Sequence, residues 1–129
     1  MTSLIRHITV DCREPYALSL FWAQVTGFAE NPDDPNLAEQ DEALLVAPDG
    51  HPDLLFIRVA DDRKTVKNRM HVDLTPSGHT RDEEMARLVG LGATLVGDHR
   101  RPDGTGWVVL ADPEDNEFCV ERSAAERAG

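Results

Sequence analysis

Cysteine, basic residues and long apolar runs are all in short supply in this chain. Only Cys12 and Cys119 carry thiols. No Cys-x-x-Cys pair exists, which excludes a zinc knuckle and a thioredoxin-type redox centre. Lys and Arg number 13 against 24 Asp and Glu, a formal net charge of −11. That balance speaks against nucleic acid, whose phosphates attract cations, and against anionic membrane surfaces. It serves solubility. No stretch approaches the length that spans a bilayer. The opening residues, Met1 to His7, lack the apolar stretch of a signal peptide. The expectation is a cytoplasmic protein with no nucleic-acid and no membrane partner.

What the chain does have is enough apolar residue, 40% of 129, for one packed domain. Residues 4–11 read as a strand, with His7, Thr9 and Asp11 on one face and Ile8 and Val10 on the other. A helix follows, opened by Pro15 and striped by Leu18, Phe21, Trp22 and Val25, with Gly27 as its stop. Residues 29–42 are acidic and proline-containing and read as a loop, with room for a short strand. Two apolar runs, 43–47 and 53–59, flank a Pro48-Asp49-Gly50 turn and predict a hairpin. After a charged connector at 61–69 the order repeats. Residues 70–74 form a strand with His71 and Asp73 on one face. Thr80 and Glu83 make a capping box for a helix striped by Met85, Leu88 and Val89, and Gly92 ends it. Strands follow at 93–96, 107–111 and 117–121, the last two joined by a turn at 112–116. Residues 124–129 read as a frayed tail.

The repetition has a measurable period. His7 and His71 lie 64 residues apart, Gly27 and Gly92 65, Pro48 and Pro113 65. A small sheet with one helix leaves one face uncovered. Two such sheets side by side curl into a cup, and a pocket lined by both halves is expected.

Several segments resemble the vicinal oxygen chelate superfamily, the glyoxalase/bleomycin-resistance/dioxygenase type, and its small glyoxalase-like members above all. They are residues 6–12, Phe21-Trp22 with Gly27, residues 67–74, Gly90-Leu91-Gly92-Ala93 and residues 112–118. The resemblance implies an α+β fold of two βαβββ modules, 1–60 and 66–123, forming a cupped mixed sheet within one domain, 1–123. It also points to a homodimer, which pairing would favour in a chain this small. Metal-dependent members use a His on the first strand of each half and a carboxylate on the last strand of each half. His7 and His71 match the histidines. The second carboxylate position falls on Cys119, and residues 54–57, Leu-Leu-Phe-Ile, offer none in the first half.

The candidate site residues follow. His7, His71 and Asp73 are candidates for acid/base chemistry. His7, His71, Trp107, Cys119 and Glu121 are candidates for holding a ligand, Trp107 by stacking. Cys119 and Glu121 share a strand face with Glu117. His7, His71 and Cys119 could hold zinc or nickel, but the incomplete ligand set predicts no metal cofactor. The functional expectation is a glyoxalase-like protein that binds a small organic molecule in its cup without the usual metal site. The alternative is a metal-dependent lyase or isomerase of the glyoxalase type.

Overall fold

The structure, a computed structural model, describes residues 1–59 and 64–129. The start of the charged connector expected at 61–69 therefore lies outside the described residues. The chain divides into two units, Met1–Arg63 and Lys64–Gly129.

In the first unit, β1 (His7–Cys12) leads to α1 (Pro15–Thr26), then β2 (Glu42–Leu45) and β3 (Asp53–Arg58). β3 is central, parallel to β1 and antiparallel to β2. Pro15 stands in the first turn of α1, where its missing N–H costs nothing. Gly27 ends the helix at φ 77°, a left-handed conformation that glycine adopts without strain. Leu18, Phe21 and Trp22 are buried as the periodicity predicts, together with Ala43, Leu45 and Phe56 of the strands. β1 starts later than expected, and Leu4 and Ile5 are exposed. The additional strand of a full βαβββ module is reduced to a single bridge between Ala29 and Val46. Pro32 and Pro35 suit this stretch poorly to a ladder. Instead the Asn36 side chain serves the backbone of β2: its amide donates to the Leu44 carbonyl and its oxygen accepts from the Leu44 N–H.

The second unit is the complete version. β4 (Asp73–Leu74), α2 (Arg81–Leu91), β5 (Thr94–Asp98), β6 (Val108–Ala111) and β7 (Glu117–Val120) form a four-stranded sheet in the order β4-β7-β6-β5. β6 is buried along its whole length, and Phe118, Cys119 and Val120 of β7 are buried beside it. The predicted capping box at Thr80 and Glu83 is present in both directions. The turn at 112–116 is also as expected. Asp112 is buried, and its Oδ1 accepts from the backbone of Glu114 and Asn116.

Three expectations are corrected here. The strand at 70–74 shrinks to Asp73–Leu74, because the Asn68 side-chain amide, not a strand backbone, donates to the Glu117 carbonyl. The buried face of α2 is Arg81, Glu84 and Leu88, with Val89 exposed. Two charged groups sit on that face because their polar atoms are satisfied within the unit. Arg81 donates to the carbonyls of Gly104 and Gly106, and Glu84 is bound by Arg87 and His79. The tail is not frayed: α3 (Ala124–Ala128) has its own capping box, Ser123 with Glu126, and the Glu126 carboxylate also accepts from the Arg81 N–H.

Phe118 is 1% exposed. Phe118→Ala is expected to cost about 3–5 kcal/mol of stability through lost burial and the cavity left behind. Leu95→Ala, on the exposed edge strand β5, should cost less than about 1 kcal/mol. Urea denaturation of both variants checks the ranking.

Candidate functional site

The parallel register of β4 on β7 sets Asp73 opposite Cys119. Alternation along a strand then brings Glu121 to the same face as Cys119, and places His71, two residues before Asp73, beside it. These four residues and Trp107 line a cleft of about 270 Å³. All five belong to the second unit. The cleft thus brings together His71, Asp73, Trp107, Cys119 and Glu121 from the sequence candidates. His7 belongs to the first unit, where it opens β1, half-buried, in register with Asp53. Glu117 shares the strand but not the cleft. Its carboxylate accepts from the Lys64 ammonium at 2.9 Å and from the Asn68 N–H at 3.1 Å, which hold it below the usual carboxylate range against the opposing effect of burial.

Within the cleft, His71 Nδ1 lies 3.1 Å from Asp73 Oδ1 and 3.9 Å from Cys119 Sγ. The donor atoms of these three residues all lie within 4.8 Å of one another. Asp73 as a member of this cluster was missed as a metal-site candidate. The signal was present, since residues two apart on a strand share a face. The arrangement is not a nucleophilic triad. Sulfur and carboxylate meet the same imidazole nitrogen, whereas a Cys-His-Asp relay uses the two ring nitrogens separately. The thiol is also poorly activated. Burial pushes its pKa up, and the Asp73 carboxylate pushes further in the same direction, with Lys67 opposing.

Trp107 is placed by the loop that precedes β6. Its indole stacks on His99 with centroids 5.3 Å apart. The loop is tight: Gly106 has φ 94°, and a Cβ there would meet the His99 carbonyl oxygen at 2.1 Å, so only glycine fits. Buried Arg81 holds the loop at Gly104 and Gly106 through bonds of 3.0 and 2.9 Å. Sequence reasoning marked Trp107 and passed over Arg81, whose place at the first position of a helix gave no sign of its burial.

The profile of the glyoxalase-like domain matches residues 7–121. The chain belongs to this glyoxalase-like family. Its fold is the glyoxalase/bleomycin-resistance fold, shared with solved structures at low identity. One is a glyoxalase/bleomycin resistance protein/dioxygenase family enzyme from Burkholderia phytofirmans PsJN, 21% identical over 92% of this chain and 97% of that one, TM-score 0.69. A second is a mutant of the fosfomycin resistance protein FosX from Listeria monocytogenes complexed with Mn(II) and 1S,2S-dihydroxypropylphosphonic acid, 17% identical over 98% of both chains, TM-score 0.69. A third is a glyoxalase-related enzyme from Fulvimarina pelagi, 16% identical over 96% of this chain and 90% of that one, TM-score 0.64. No curated protein matches. Among the described residues no helix is long and apolar enough to cross a membrane.

Among the described residues, the donor set of this cleft does not fit a manganese-type centre. Mn(II) is a hard ion that favours carboxylate and carbonyl oxygen. Here a sulfur stands on the last strand of the unit, and its raised pKa keeps it a neutral thiol at neutral pH. The corresponding stretch of β3 is apolar.

In a Cys12→Ser background, the thiolate absorbance of Cys119 near 240 nm is expected to emerge above the ordinary cysteine pKa. Asp73→Asn removes the second cause of the shift and should move the titration partway down. Burial, the larger cause, remains. A titration at or below the ordinary value would contradict this description of the cleft.

Proposed function

We propose that this glyoxalase-like protein binds a small organic molecule in the cleft formed by His71, Asp73, Trp107, Cys119 and Glu121, without the metal site usual in its superfamily. The observation that carries the reading is the convergence of an aromatic ring, an imidazole, a thiol and two carboxylates on one cleft. Binding sites combine apolar and aromatic wall with a few placed polar groups in this way. His71 supplies a donor or acceptor fixed by Asp73, Trp107 supplies a flat face, and Cys119 supplies a small wall.

The second reading is a metal-dependent lyase or isomerase of the glyoxalase type. The three donor atoms within 4.8 Å of one another favour it, because imidazole, carboxylate and sulfur suit zinc better than manganese. The two readings part on calorimetry. Titration of zinc and nickel into the native protein is expected to show only weak binding, in the range of an adventitious ion. Submicromolar affinity that His71→Ala abolishes would put the enzyme first. Screening small aromatic metabolites against native protein and His71→Ala is expected to find ligands whose affinity falls about tenfold with loss of the imidazole hydrogen bond.

We also propose a homodimer. Among the described residues β5 is an edge strand paired only with β6, and Leu95 and Val96 on it are about half exposed, as is Val89 on α2. An apolar sheet edge of this kind calls for cover. Sedimentation velocity should give a dimer at micromolar concentration, and a monomer at high micromolar concentration would count against it.

A further inference from the structure

The walls of the cleft are one-sided in charge. Asp73 and Glu121 contribute carboxylates, and among the described residues neither Lys nor Arg lines it. Four cations of the second unit are held by other groups, and Arg69 is exposed outside the lining. Lys64 is bound to Glu117, Arg81 to the Gly104 and Gly106 carbonyls, Arg87 to Glu84, and Arg100 to Asp98 and Asp82. Lys67 is near enough to act on Cys119, but it is exposed and outside the lining. An anionic guest would meet two like charges. A cationic guest would meet two counter-charges. The net charge of −11 adds a field of the same sign around the whole protein.

The aromatic residue completes the pattern. An indole is the side chain whose face attracts a cation best. Trp107 lines the cleft with its ring held by His99, so little freedom is lost when a guest stacks.

We propose that the cleft selects organic cations: small molecules that join a quaternary or protonated nitrogen to an apolar or aromatic body. The nitrogen is recognised by Asp73, Glu121 and the Trp107 face, and the apolar body by the neutral wall at Cys119. This rests on reading the cleft as a small-molecule site and names its ligand class. It sets the protein apart from FosX, whose solved complex holds a phosphonic acid.

Three probes of similar size test it: benzyltrimethylammonium, benzyl alcohol and benzylphosphonate. Each is titrated into the native full chain while the Trp107 indole N–H and the Cys119 amide are followed by NMR. The cation should shift both resonances saturably and bind about tenfold more tightly than the alcohol. The phosphonate should give no saturable shift. Raising the salt concentration should weaken the cation selectively. Glu121→Gln, a change at an exposed position, and Asp73→Asn should each lower the ratio of cation to alcohol affinity. Phosphonate binding as tight as that of the cation, or an unchanged ratio in both variants, overturns the ligand class. If the alcohol or the phosphonate binds at these resonances and the cation does not, the class falls while the small-molecule site stands. If no probe moves either resonance, the site reading falls with it.

Discussion

One backbone pairing governs the site. The parallel register of Asp73 on Cys119 joins a two-residue strand to the buried strand β7. The bonds that flank it, Cys119 N–H to the Val72 carbonyl and Glu121 N–H to the Leu74 carbonyl, fix that register. Side chains on a strand alternate, so a slip of one residue would send Cys119 and Glu121 into the core and Phe118 and Val120 into the cleft. Phe118 and Val120 are almost wholly buried, and their burial is what prevents the slip. The hydrophobic core thus chooses which polar groups meet in the cleft.

The groups that meet there limit the chemistry. A histidine held by a carboxylate is common to many sites. The sulfur at the last-strand position is what departs from the metal-binding set that the superfamily resemblance implies. A neutral thiol contributes neither the charge nor the hardness that a manganese-type ion needs. Asp73 and Glu121 give the cleft two carboxylates, and the proposed recognition of organic cations rests on that charge.

Much of this was legible in the sequence. The period of 64 to 65 residues, the helix stops at Gly27 and Gly92, the capping box at Thr80 and the turn at 112–116 rest on local rules, and local rules read directly from residue types. The cluster of His71 with Cys119 and Glu121 was legible because strand alternation and the spacing after Asp112 both pointed to it. Other features depend on partners distant in sequence. That Arg81 and Glu84 would occupy a buried helix face depended on the Gly104–Gly106 loop, His79 and Arg87. That strand 70–74 would stop short depended on Asn68 reaching the Glu117 carbonyl. The tail became a helix through Ser123 and Glu126, a capping pair that the short length of the segment concealed. The reduced strand in the first unit followed from its prolines, but the Asn36 amide that replaces part of its bonding carried no sequence signature.

The central claim is that the second unit's cleft is an organic-ligand site and not a hard-metal centre. Metal content tests it most directly, measured by inductively coupled plasma mass spectrometry on protein purified without a metal-affinity tag and dialysed against micromolar manganese. The account predicts far less than one manganese per chain, with no difference between the native protein and His71→Ala. One manganese per chain, lost in His71→Ala, would contradict it.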